Sequence, residues 1–233
     1  IGTSLGGSQA SSWTNALNTD TSVTVAGLSL THLTQYYSSV RAVDSVGNVS
    51  SAGISDGFTV DTDVPTITYI REGETGELDI QNIDSLISVR WLGADVTTGS
   101  GVDFYEVALG TSVGASNIVD WFVQDHPDTL EDIDDLDLTD GTTYYVSVRV
   151  TDVGGNGSAS SSSDGLLIDL SVPLLGTVHD GDSVDIAFTP SDSTITANWY
   201  GFTDIVSSIA SYEVAIGDSS DEDNIAAWVN VDT

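Results

Sequence analysis

Almost all the residues in this sequence that could carry chemistry are carboxylates. The chain has 36 Asp and Glu residues against four Arg and no Lys, and its formal net charge is −32. Carboxylate oxygens bind hard cations such as Ca²⁺, and paired carboxylates can also act as the acid and base of a glycosidase. Because carboxylates are spread along the whole chain, no pair of them is singled out as catalytic.

The other groups that support catalysis are few and scattered. There is no cysteine, no HExxH helix, no GxSxG turn and no glycine-rich phosphate loop. The histidines lie apart from any candidate nucleophile, and we interpret them as isolated surface residues: His32, His126 and His179. We therefore expect no enzymatic activity from this chain.

The negative charge excludes two classes of partner. A surface this acidic repels the phosphates of nucleic acid and the headgroups of anionic membranes. The sequence also has no apolar run long enough to span a bilayer. Self-repulsion at this charge density favours a saline or calcium-containing environment, although a simple solubility coat explains the composition equally well.

An internal repeat of about 108 residues organises the chain. Tyr105-Glu-Val-Ala-Leu-Gly110 recurs as Tyr212-Glu-Val-Ala-Ile-Gly217, and Tyr36-Tyr37 recurs as Tyr144-Tyr145. The register predicts that the chain is cut out of phase with its repeat, in three parts. These are the C-terminal half of one repeat (residues 1–65, the first segment), a complete repeat (66–173, the middle repeat) and the N-terminal half of the next (174–233, the third segment).

Two explanations for the half repeats remain open. The chain can be a window on a longer array, which we favour, or a half repeat can be completed by a neighbouring subunit through strand donation. In both cases the expected partners are further copies or repeats of the same chain.

Apolar residues in the middle repeat alternate with a period of two. Tyr144, Val146, Val148 and Val150 define one apolar face of a strand, and the intervening Tyr145, Ser147 and Arg149 are expected to face solvent. Residues 86–92, 102–109 and 118–123 also have strand composition, and glycine-containing turns separate these strands. The pattern predicts an all-β fold made of tandem Greek-key β-sandwiches.

Several of these residues carry a family resemblance. Leu138-Thr-Asp-Gly-Thr-Thr-Tyr144 resembles the tyrosine corner of fibronectin type III domains, and Leu30 to Tyr36 has the same spacing. Trp91 and Trp199 are similar to the core tryptophan of that fold. The resemblance implies a fibronectin type III-like sandwich with Tyr36 and Tyr144 as structural residues. Residues 71–77 depart from the Asp180-Gly181 turn that follows the first strand of the third segment.

In tandem sandwiches of this kind, the linker from one repeat runs into the loops of the next. This arrangement predicts Ca²⁺ sites at the two junctions, with turn formation by the same aspartates as the alternative. The first junction would gather Asp61, Asp63, Asp95, Asp103 and Asp152. The second would gather Asp140, Asp169 and Asp204.

Two N-glycosylation sequons occupy the same repeat position. They are Asn48-Val-Ser50 and Asn156-Gly-Ser158, both predicted to lie on an exposed loop. The same pattern is also typical of tight turns.

The sequence as a whole predicts an extracellular or cell-surface structural protein. Each repeat would fold around its own core, and the junctions would set the reach and stiffness of a stalk, fibre, sheath or surface layer. One alternative is an adhesin that binds glycans or a partner cell, for which Trp13, Trp121 and Trp228 are the candidate contacts. The other alternative is a spacer module within a large secreted hydrolase.

Overall fold

The computed structural model describes residues 1–220 and 223–231, and its regular elements there are all β-strands. The expected all-β class is confirmed, and the several sheets are compatible with β-sandwiches. Within these residues the structure holds no helix long and apolar enough to cross a membrane.

The strands fall into three groups along the chain. The first segment contains β1 (Gln35–Tyr36), β2 (Ser39–Val40), β3 (Gly53–Ile54) and β4 (Phe58–Thr59). The middle repeat contains β5 (Thr66–Glu72), β6 (Ile80–Gln81), β7 (Ile87–Ala94), β8 (Val102–Gly110), β9 (Val119–Asp125), β10 (Leu130–Ile133), β11 (Thr143–Asp152), β12 (Ser161–Ser162) and β13 (Leu166–Ile168). The third segment contains β14 (Thr177–Asp180), β15 (Ala197–Tyr200), β16 (Tyr212–Ile216) and β17 (Ala226–Val231).

Backbone packing divides the chain into two compact units. Unit 1 comprises Ile1–Glu77, Ser88–Asp132 and Tyr144–Gly165, and unit 2 comprises Leu78–Ile87, Ile133–Thr143 and Leu166–Thr233. This division follows compactness rather than the sequence repeat. The repeat boundaries at residues 65 and 173 therefore stay a prediction.

Unit 1 contains two multistranded sheets. One has the strand order β10-β7-β5, with Ile70 of β5 opposite Trp91 of β7. The other places β8 between β9 and β11 in antiparallel pairs, and β12 pairs with the outer side of β11. Because β7 and β8 are consecutive but belong to different sheets, the chain crosses between layers as it does in a β-sandwich.

Unit 2 contains shorter pairings. β6 and β13 are parallel, with Leu167 opposite Ile80, whereas β14–β15 and β16–β17 are antiparallel hairpin-like pairs. Trp199 lies opposite Val178 in the first of these antiparallel pairs.

The core lies in the middle repeat. Among the described residues, every buried hydrophobic side chain except Tyr36 falls between Ile87 and Ile168. Trp91 is 1% exposed and meets Tyr105 edge-on, with the ring centroids 5.7 Å apart. By contrast, Val46 in the first segment is 82% exposed and Phe188 in the third is 92% exposed. Among the described residues, the buried apolar side chains are therefore concentrated in the middle repeat.

The structural residues predicted from sequence lie in matching surroundings. Tyr36 and Tyr144 are both buried, and the Tyr36 hydroxyl accepts a hydrogen bond from the Thr31 N–H, as in a tyrosine corner. Trp199 meets Tyr212 at 5.4 Å, which repeats the Trp91–Tyr105 pair with more exposure to solvent.

Strand register repeats along with the sequence. Ser39 lies opposite Ile54 in β2–β3, and the residues 108 positions later, Ser147 and Ser162, lie opposite each other in β11–β12. The Val178–Trp199 pair of β14–β15 corresponds in the same way to Ile70–Trp91 of β5–β7. Equivalent residues thus make equivalent backbone pairs in the different segments.

Two local expectations were wrong. Ser147 does not face solvent but is fully buried. It pairs with Ser162 of the neighbouring strand β12, and the two hydroxyls lie 2.8 Å apart. The middle repeat also keeps the turn that residues 71–77 were expected to replace. Gly73, which follows Glu72, has a backbone φ angle of +96°, and Gly181, which follows Asp180, has a φ angle of +102°. Both angles lie in the left-handed backbone region, which favours glycine.

Candidate cation-binding clusters

The structure assembles part of the predicted first-junction site. Oxygens of Asp61, Asp95 and Asp152 all lie within 4.8 Å of one another. Asp152 is buried and ends β11, Asp95 directly follows β7, and Asp61 comes from the linker before β5. The carboxylates of this linker cluster (Asp61, Asp95 and Asp152) are spaced closely enough to share a cation.

Backbone N–H groups already bind the linker cluster. Asp61 accepts from Ser100 and Asp63, and Asp95 accepts from the N–H groups of Val96 and Gly101. The hydrogen bonds from Ser100 hold the pKa of Asp61 below its usual range. Both interpretations made from the sequence, turn formation and cation binding, fit this geometry. The Ca²⁺ assignment therefore stays a prediction.

The loop that contains Asp152 is a recurring turn. Asp152 accepts hydrogen bonds from the backbone N–H and the side-chain amide of Asn156, at 2.7 and 2.9 Å. Asp44 accepts the same two bonds from Asn48, both at 2.7 Å. The two sequon asparagines therefore have their side-chain amides engaged in the turn. Glycosylation of Asn48 and Asn156 stays a prediction.

His32 is not the isolated residue that the sequence indicated. Its Nε2 lies 3.2 Å from Oδ2 of Asp63 and its Nδ1 lies 3.6 Å from Oδ1 of Asp61. Nδ1 also accepts the Thr62 N–H at 3.1 Å, which places the proton of a neutral ring on Nε2, toward Asp63. The histidine and the two aspartates lie within cation-binding distance of one another.

The remaining predicted ligands are not brought together. Asp103 lies outside the clusters found among the described residues. At the second junction, Asp140 accepts the Leu170 N–H and Asp169 binds Ser171. Asp204 accepts the Ser207 and Val206 N–H groups, which lower its pKa. In the part of the chain that the structure describes, these three aspartates form no group with cation-binding spacing.

A third acidic group escaped the sequence analysis. Oxygens of Glu72, Glu77 and Asp164 lie within 4.8 Å of one another. We call these three residues the strand-end cluster, because Glu72 is the last residue of β5 and Asp164 follows β12. Glu72 is fully buried, whereas Glu77 and Asp164 are exposed.

The buried side chain of Glu72 lies in unusual surroundings for a carboxylate. Neither of its oxygens has a hydrogen-bond partner. Burial raises its pKa to about 7, and the negative charges of Glu77 and Asp164 act in the same direction. The Ser163 hydroxyl is near enough to lower the pKa in part, but it lacks hydrogen-bond geometry with either oxygen.

The sequence repeat shows acidic residues at positions equivalent to those of the strand-end cluster. Asp180 and Asp185 stand 108 residues after Glu72 and Glu77, and Asp56 stands 108 residues before Asp164. Residues 71–77 depart from the Asp-Gly pattern in residue type, but Glu72-Gly73 occupies the same repeat positions as Asp180-Gly181. The acidic character of this turn is therefore shared between repeats.

Two of the three repeated tryptophans lie against arginine. The Arg41 guanidinium is 4.1 Å from the centre of the Trp13 ring, and that of Arg149 is 4.5 Å from Trp121. The corresponding Trp228 in the third segment is 64% exposed.

One shallow groove in unit 2 offers little catalytic chemistry. Its lining contains a single titratable side chain, Asp169, beside the hydroxyls of Ser207 and Ser208. Asp169 accepts hydrogen bonds from Ser171, and the groove lining includes no histidine or lysine beside its serines.

The fold and the site together describe an all-β module with acidic clusters. No family model matches the chain. Over 172 residues, or 73% of this chain, the sequence is 30% identical to Exoglucanase B of Cellulomonas fimi. The matched region covers 14% of that protein's length, so this chain is similar to a small part of it.

Proposed function

We propose that this chain is a non-catalytic, extracellular β-sandwich spacer module of a larger secreted hydrolase. The observation that carries the proposal is the match to a 14% portion of Exoglucanase B. The matched 172 residues exceed one 108-residue repeat, so the similarity extends beyond a single sandwich. This observation favours the spacer interpretation over that of a free-standing fibre or sheath.

The physical features support a mechanical role. The buried apolar side chains are concentrated in the middle repeat, and the β2–β3 pairing of the first segment recurs as β11–β12. A net charge of −32 keeps such modules apart from one another and from acidic surfaces. The module would hold other domains at a distance without contacting their substrate.

Two assays on the purified chain test this role. We expect no release of soluble sugar from cellulose or other β-glucans, and no depletion of the chain from solution by insoluble cellulose. Hydrolysis above the level of a buffer control would contradict the non-catalytic assignment. Depletion that is lost in Trp228→Ala would instead support the adhesin alternative, which the 64% exposure of Trp228 favours.

The structural-array alternative differs in self-association. A stalk, fibre or sheath component would assemble with further copies of itself, and the equivalent register of its segments favours that possibility. Sedimentation velocity over a hundredfold concentration range distinguishes the two. The spacer interpretation predicts a monomer throughout, and concentration-dependent larger species would support the array.

A further inference from the structure

We propose that Glu72, Glu77 and Asp164 form a Ca²⁺-binding site at the end of β5. The site is separate from the junction sites that the sequence predicted. It lies within unit 1, and its most buried ligand is Glu72, the last residue of β5. Glu72 pairs with Val89 of β7, which is fully buried, so the position of the Glu72 side chain is fixed by the sheet.

The geometry of the oxygens suits Ca²⁺. Two oxygens bound to the same Ca²⁺ lie at most about 5 Å apart, since each Ca–O distance is about 2.4 Å. The three carboxylates each offer an oxygen within 4.8 Å of the others. Ca²⁺ takes six to eight oxygen ligands, so bidentate carboxylates and water would complete the shell. The ligands are all hard oxygens, which excludes a thiolate-type or histidine-type metal centre.

The buried oxygens of Glu72 provide an independent indication of a ligand. A buried carboxylate without hydrogen bonds costs several kcal/mol unless a partner compensates it, so such groups are rare in folded proteins. Both oxygens of Glu72 are in this condition, and one of them lies within 4.8 Å of an oxygen of Glu77 and of an oxygen of Asp164. A cation bound among the three carboxylates would supply the missing partner.

Arg71 pairs with Glu77 of the strand-end cluster but does not take this role. Arg71 Nε lies 3.5 Å from Oε2 of Glu77, and the Arg71 side chain is 51% exposed. The charged groups that act on Glu72 are Glu77 and Asp164, both negative. Because the exposed Arg71 guanidinium pairs with Glu77, it does not neutralise the buried Glu72 carboxylate.

The local backbone contact recurs in the third segment. The Glu72 N–H donates to Oε1 of Glu77 at 3.1 Å, and the Asp180 N–H donates to Oδ1 of Asp185 at 3.3 Å. The turn therefore presents two carboxylates in the same relation in both repeats. A repeated cation site would offset the self-repulsion of a highly acidic chain wherever the turn occurs.

Calcium titration of the full chain tests the site directly. The chain is stripped with chelator and titrated with CaCl₂ by isothermal calorimetry in 0.5 M NaCl, where screening suppresses non-specific counterion binding. Glu72→Gln removes the buried charge with little change in shape, and Asp164→Asn removes an exposed ligand. Asp134→Asn removes an equal charge from an exposed residue outside the cluster, and Asp95→Asn disables the linker cluster.

The proposal predicts that Glu72→Gln and Asp164→Asn each weaken Ca²⁺ binding about tenfold or more, while Asp134→Asn and Asp95→Asn leave that site unchanged. Circular dichroism confirms that each variant is folded. If Glu72→Gln does not fold, the exposed Asp164→Asn variant decides the outcome. Equal affinity in Asp164→Asn and Asp134→Asn would overturn the proposal. Loss of binding in Asp95→Asn alone would also overturn it and assign the ion to the linker cluster.

Discussion

The guanidinium of Arg149 lies 4.5 Å from the centre of the Trp121 ring while donating two hydrogen bonds to the carboxylate of Glu106, at 2.6 and 2.7 Å. These three residues come from adjacent strands, since β8 pairs with both β9 and β11. The same stacking recurs 108 residues earlier between Arg41 and Trp13. Two of the four arginines in the chain therefore stack on tryptophans at equivalent repeat positions.

We expect Arg149→Lys to lower the free energy of unfolding by about 1 kcal/mol, because lysine can reproduce neither the two-pronged bond to Glu106 nor the planar stack on Trp121. Urea unfolding followed by circular dichroism measures the loss. Arg41→Lys is the matched control, because it alters the stack on Trp13 without a comparable carboxylate pair. A larger loss in Arg41→Lys than in Arg149→Lys would refute this explanation.

Trp91 should be the most sensitive core position. Trp91→Ala leaves a large cavity against Tyr105, and we expect it to cost about 3–5 kcal/mol of unfolding free energy. Trp199→Ala removes the equivalent residue from the less buried third segment and should cost clearly less. Chemical denaturation of both variants tests the difference, and similar losses would show that the third segment has an equally closed core.

The tyrosine corner can be tested by removing one oxygen. Tyr36→Phe leaves the Thr31 N–H without its acceptor, and we expect a loss of about 1 kcal/mol. Tyr37→Phe removes a hydroxyl that donates to Gln35 on the surface, so it should change stability very little. Equal effects of the two substitutions on thermal unfolding would argue against a structural corner at Tyr36.

Glu72 should make stability depend on pH in calcium-free solution. Because its pKa is about 7 in the folded chain and near 4.5 when unfolded, the folded state binds the proton more tightly. The resulting stabilisation is complete below about pH 4.5 and is lost as the pH rises through about 7. The predicted loss is on the order of 2 kcal/mol after allowance for solvent screening.

The measurement compares the native chain with Glu72→Gln across this pH range in the presence of chelator. Subtracting the two curves removes the background from the other carboxylates. The native-minus-variant difference in unfolding free energy should fall as the pH rises, and a flat difference would contradict the raised pKa.

The sequence was informative where local pattern determines structure. Period-two alternation located β7, β8, β9 and β11 to within two residues, because side chains on a half-buried strand must alternate between core and solvent. Spacing from Leu30 to Tyr36 identified a tyrosine whose hydroxyl does cap the preceding backbone. The junction analysis also selected Asp61, Asp95 and Asp152, which the fold brings together.

The sequence did not predict burial that depends on strand pairing, because the alternation of apolar and polar residues does not show which strands pair. Ser147 is buried and pairs with the two-residue strand β12, and so short a strand has no sequence period. Glu72 was missed because a glutamate at a strand end is normally exposed. His32 was judged by its sequence neighbours, although its contacts, Asp61 and Asp63, lie about 30 residues away.

Expressing residues 66–173 alone tests whether this stretch forms a complete sandwich. It contains all but one of the buried hydrophobic residues described. We predict a β-type circular dichroism spectrum and a single cooperative unfolding transition for this fragment. An unfolded fragment, or one that folds only when residues 1–65 or 174–233 are added back, would contradict the claim.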